Sequence, residues 1–172
     1  MTLDDIKARL PDWAKDVRLN LDATVKRSSL EPRLAVGAAL AAAYAARSPA
    51  LVAAFRDPDV LDPQHAEAAL TAAALMGMNN VWYPFVEMAG DEELKTLRPE
   101  LRMNAYATHG GVSKAKFEAY ALAASIIGKC HFCVQSHYEL LKNEGWTTQQ
   151  LRDVGRIAAV VNATAQVLSA QG

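Results

Sequence analysis

Two stretches of this chain fall over one another when the second is slid back by 51 positions. SKAKFEAYALAASIIGKCHF, residues 113–132, then covers DPQHAEAALTAAALMGMNNV, residues 62–81. Glu118 meets Glu67, Ala119 meets Ala68, Ala123 and Ala124 meet Ala72 and Ala73, Gly128 meets Gly77, and Ser113 falls on Asp62. Alanine matches mean little in an alanine-rich chain. A glutamate, a glycine and a helix-capping position agreeing in one register carry more weight, and they point to a duplicated helical hairpin. At 172 residues the length suits one domain, 1–172. Its thiol-free half covers about 62–89 and its thiol-bearing half about 113–143, because Asn79 and Trp82 stand where Cys130 and Cys133 stand.

The rest of the chain has the same character. Helix formers dominate, and no run alternates apolar and polar residues as a half-buried strand would. Ser48-Pro49 and Asp62-Pro63 place a capping residue before a proline suited to a first helical position. Thr147 and Gln150 form a capping box, and Gly145 sits where a helix ending near Asn143 needs a left-handed residue. Helices are expected over 3–9, 11–26, 32–46, 49–56, 63–78, 80–89, 98–107, 113–127, 130–143 and 148–169. The fold class is all-α. AVGAALAAAYAA, Ala35–Ala46, is a long uncharged run, yet its mostly small residues fall short of the roughly 20 needed to span a bilayer. It reads as a buried helix.

Charge narrows the partners. Eighteen Lys plus Arg against nineteen Asp plus Glu leave a net charge of -1, with no surplus of cations for nucleic-acid phosphates or an anionic membrane. The opening MTLDDIKARLPDW carries acidic residues and no apolar core segment, unlike a secretory leader, so a cytoplasmic location is expected. In that reducing setting a pair of cysteines is a poor stability staple, and C-x-x-C spacing points to redox chemistry or metal.

Both cysteines and two of the four histidines lie in GKCHFCVQSH, residues 128–137. A break at Gly128 would put Cys130 in the first turn of the next helix, where unpaired N–H groups favour a thiolate. At 100° per residue Cys130, Cys133 and His137 span roughly 60° of that helix, and Leu140 and Leu141 extend the stripe, so the face points inward. A thiol with pKa near ~8.5 is only a few per cent ionised at neutral pH, and His137, one turn after Cys133, can act as its base. Glu118 is the candidate carboxylate to orient that histidine, on a stripe with Ala121, Leu122 and Ser125. Antiparallel packing of 113–127 on 130–143 would keep Glu118 and His137 close. Glu67 at the matching position leaves a second role open for Glu118, in helix packing. A structural zinc site wants four ligands, and no second pair accompanies the C-x-x-C. His131 is one residue off the stripe and reads as a rim histidine.

At these residues the chain resembles the AhpD alkyl hydroperoxidase family, which shares its fold with the carboxymuconolactone decarboxylases. The likeness extends to LPDWAKDVRLNL near the start, MGMNNV at 76–81 and LRPELRMN at 97–104. It implies an all-helical, pseudo-duplicated homotrimer acting as an antioxidant peroxidase. It further implies that Cys133, deprotonated through His137 and Glu118 with a water between, attacks the peroxide, and that Cys130 resolves the sulfenic acid as a Cys130–Cys133 disulfide. Dihydrolipoamide on a lipoyl-bearing dehydrogenase subunit, kept reduced by lipoamide dehydrogenase, would restore the dithiol, and a partner peroxiredoxin, AhpC, could receive electrons. No bound metal, flavin or haem is implied. One departure is Phe132 directly before the second cysteine, where the family pattern has a histidine; here the histidine stands one step earlier, at His131. Phe132 would make the thiol mouth more apolar. Two other functions fit the class less well: an electron-transfer adaptor for a peroxiredoxin, and a decarboxylase-like lyase, in which the C-x-x-C pair has no obvious task.

Overall fold

A computed structural model describes residues 1–171. Its elements, in order, are α1 (Leu3–Arg9), a 3-10 turn (Asp12–Ala14), α2 (Lys15–Lys26), α3 (Pro32–Ala45), α4 (Pro49–Phe55) and α5 (Pro63–Ala89). Then come α6 (Glu92–Thr96), α7 (Asn104–Ala107), a second 3-10 turn (His109–Gly111), α8 (Lys114–Gly128), α9 (His131–Asn143) and α10 (Thr148–Ser169). Among the described residues there is no strand. The all-α expectation holds.

The alanine run becomes α3, whose residues Ala38–Ala43 are fully buried. Small side chains let α5, α8 and α10 pack closely around it. Gly37 is the extreme case, because a Cβ there would collide with the ring of Tyr120 on α8. Three of the expected caps are in place: Asp62 accepts from His65 N, Ser113 from Lys116 N, and Thr147 with Gln150 closes a capping box, whereas Ser48 holds the N-cap position of α4 without a side-chain capping hydrogen bond. Asp153 on α10 anchors the α2–α3 loop by accepting from Ser29 N at 2.7 Å. Burial alone would push its carboxyl up, but the Ser29 hydrogen bonds and those from Arg152 and Arg156 outweigh it and hold it down at about 2.

Helices α5 and α8 lie side by side and run the same way. Near their starts His65 Nε2 is 3.1 Å from Lys116 Nζ, and further along Asn80 Nδ2 donates to Ala124 O at 3.1 Å.

Two expectations are corrected here. The break near residue 79 is absent: residues 63–89 form one helix, with Gly77 and Pro84 inside it. Only the second stretch turns, because Lys129 takes a left-handed conformation (φ 54°) and Cys130 leaves the helical region to cap α9. Met78 and Asn79, at the matching positions, stay helical. The helix expected over 98–107 shrinks to Asn104–Ala107, since Pro99 disfavours helical geometry at Arg98 and Glu100 has φ 53°. Ahead of that region stands a short helix, α6, capped by Asp91.

Candidate active site

Cys130 is the N-cap of α9, one position earlier than a first-turn residue, and its sulfur accepts from Cys133 N at 3.2 Å. This is the helix end where the dipole and free N–H groups favour negative charge on sulfur. The two cysteines form a disulfide, with Cα atoms 5.2 Å apart. Both sulfurs face the main-chain oxygen of Asn79 on α5, at 3.8 Å from Cys130 and 3.7 Å from Cys133. A thiol released at either position would find an acceptor there.

The inward stripe of α9 is as expected: Cys130, Cys133, His137 and Leu141 are buried, and Leu140 is half-buried. Glu118 is fully buried and touches His137 directly, Oε2 to Nδ1 at 2.5 Å. Because an ionised carboxylate can only accept, the proton of this hydrogen bond sits on Nδ1. Nε2 is then the nitrogen free to exchange a proton, and it lies 3.1 Å from the sulfur of Met76. An isolated buried carboxylate would cost several kcal/mol, so the histidine is also what lets Glu118 occupy this place.

Two groups escaped sequence reasoning. Tyr106 Oη donates to Glu118 Oε1, so both carboxylate oxygens are occupied. Met76, fully buried, closes the site over His137. Tyr106 was hidden inside a stretch read as helix, while Met76 lies in the MGMNNV segment with nothing to mark it as a neighbour of a residue 61 positions away.

A cavity of about 390 Å³, within the range of small-molecule sites, opens onto Cys133 and His137. Tyr106, Met103, Tyr83 and Phe132 line its other walls. Phe132 stacks on Tyr83 with ring centroids 4.3 Å apart, which makes the mouth apolar. On the other flank of α9 a second cavity, about 480 Å³, is bordered by Cys130, Val134 and Tyr138. A larger cavity, about 770 Å³, lies between α4, the middle of α5 and the end of α8, and neither a cysteine nor a histidine lines it. The smaller one holds the chemistry. His131 is exposed on the rim and pairs with Glu87 at 3.2 Å.

Comparison with known proteins finds relatives that match over nearly the whole chain. An alkyl hydroperoxide reductase AhpD of Rhodospirillum centenum is 43% identical over 99% of this chain and 92% of its own length. The chain belongs to the AhpD family. The AhpD of Maricaulis maris is 42% identical, with 99% of each chain covered, and that of Streptomyces coelicolor 39%, covering 99% and 97%. The carboxymuconolactone decarboxylase family matches residues 92–171, the part that holds Cys130 and Cys133. Among the described residues no helix is long and apolar enough to cross a membrane.

Proposed function

We propose that this member of the AhpD family is an alkyl hydroperoxide reductase whose Cys130–Cys133 dithiol is recycled by dihydrolipoamide. The observation that carries the reading is the buried Glu118–His137 pair beside a cavity onto which Cys133 opens. His137 Nε2 takes the Cys133 proton through a water between them. The thiolate attacks the distal oxygen of ROOH, the O–O bond breaks, and the alkoxide leaves as ROH with that proton, leaving Cys133 as a sulfenic acid. Cys130 gives up its proton, its thiolate, stabilised at the α9 N-terminus, attacks this sulfur and closes the disulfide, and the departing hydroxide takes that proton and leaves as water. Two thiols of dihydrolipoamide then reduce it by exchange and become the lipoamide disulfide. A lipoyl-bearing dehydrogenase subunit and lipoamide dehydrogenase supply the electrons, in the cytoplasm, and AhpC is a further acceptor.

A homotrimer belongs to this reading. Val81, Phe85 and Met88 form an exposed apolar stripe at helical spacing on the last turns of α5, a surface suited to burial against another copy.

The decisive assay supplies dihydrolipoamide, lipoamide dehydrogenase and NADH with cumene hydroperoxide and no peroxiredoxin. Peroxide-dependent NADH consumption is expected. Consumption only after adding AhpC would favour the adaptor role instead.

A further inference from the structure

We infer that Tyr106 is a positioning residue for the peroxide chemistry: it holds Glu118 ionised and oriented, and thereby sets the proton affinity of His137. The inference rests on the reading above.

Glu118 has no solvent to accept from, and each of its oxygens needs a donor. His137 Nδ1 satisfies Oε2, and Tyr106 Oη satisfies Oε1. No other hydrogen bond reaches the carboxylate among the described residues. The titratable groups around the pair are Tyr106 from α7, His109 from the turn after it, and Cys133 from α9; α5 presents the sulfur of Met76. Tyr106 is itself fixed, its ring standing edge-on to fully buried Phe117 at 5.4 Å and to His109 at 6.2 Å. It also lines the cavity beside Cys133, so it separates the carboxylate from the space where peroxide must sit.

The sign of the effect follows from charge. With His137 neutral the pair carries one negative charge, all of it on Glu118; with His137 protonated the pair is neutral. A phenol donating to the carboxylate stabilises the first state more than the second. Removing the hydroxyl therefore raises the proton affinity of His137, and the base is lost to protonation at a higher pH.

The test is Tyr106→Phe, which keeps both ring contacts. The four histidines of the reduced protein, labelled with carbon-13, are titrated by NMR, and kcat/KM for cumene hydroperoxide is followed against pH. The His137 midpoint and the acid limb of kcat/KM are both expected to rise by about one unit, with the alkaline plateau kept within about twofold. A lower rate at every pH with an unmoved His137 midpoint would overturn the inference in favour of simple packing, as would no change in either measurement. If the unsubstituted protein reduces no peroxide, the functional reading falls, while the NMR midpoint still decides the coupling.

Discussion

The two stretches matched by the 51-residue shift differ most at the residue they share. Glu67 on α5 is exposed, whereas Glu118 on α8 is fully buried between His137 and Tyr106. The same residue type at the same distance from the same kind of cap thus has two environments. A packing role common to both positions would have placed both glutamates alike. What separates them is the company each keeps: α9 folds back over Glu118 because the chain turns at Lys129, and α5 runs straight past the corresponding point. The turn creates a helix N-terminus for the cysteines and brings His137 to the carboxylate. A continuous helix offers neither.

The comparison is broken most severely at the thiols. Cys133→Ser is expected to abolish peroxide reduction, and Cys130→Ser to allow one turnover that ends in a sulfenic acid at Cys133, detectable by mass spectrometry after dimedone trapping. An adduct on Cys130 of the Cys133→Ser protein would reverse the two roles.

Next come the glutamates. Glu118→Gln is expected to lower kcat/KM about 10²-fold, in the range for loss of general-base assistance. Glu67→Gln should change kcat/KM by less than twofold and stability by less than about 0.5 kcal/mol. Equal losses in steady-state assays of the two variants would return Glu118 to a packing role.

The glycines give a smaller contrast, read from thermal unfolding. A Cβ on Gly77 meets open space inside α5, so Gly77→Ala should stabilise by up to about 1 kcal/mol. A Cβ on Gly128 would collide with the side chain of Asn80, which bonds Ala124 O, so Gly128→Ala should lower Tm.

The smallest effect lies outside both stretches and marks where stability, as opposed to chemistry, sets the acid limit. Asp153 has its carboxyl lowered in the fold to about 2 from 3.8. A lowered carboxyl stabilises the fold above its ordinary value and stops doing so as pH falls through the folded one. Its contribution is therefore lost between about pH 4 and pH 2, and Asp153→Asn should remove that part of the acid dependence in denaturant melts.

Much of this was written locally in the sequence. Asp62, Ser113 and Thr147 announce helix starts through short-range donors, and the 100° spacing of Cys130, Cys133 and His137 fixes their common face whatever surrounds it. The neighbours of Glu118 could be narrowed because one turn joins α8 to α9. Tyr106 had no such guide: its approach depends on an irregular segment, Leu97–Met103, and on a left-handed Glu100 that no local pattern requires. The unbroken α5 was missed because glycine and asparagine near residues 77–80 resemble a helix end, while the packing of Asn80 on α8 that favours continuity is a long-range contact.

On the proposed mechanism, the buried Glu118–His137 pair makes Cys133 a peroxide-reactive thiol. This claim is tested most directly by the rate of Cys133 sulfenate formation with one equivalent of cumene hydroperoxide at neutral pH, in Cys130→Ser protein with and without Glu118→Gln. The sulfenate should form at Cys133 and at least about tenfold more slowly without the carboxylate. Equal rates in the two proteins would contradict the claim.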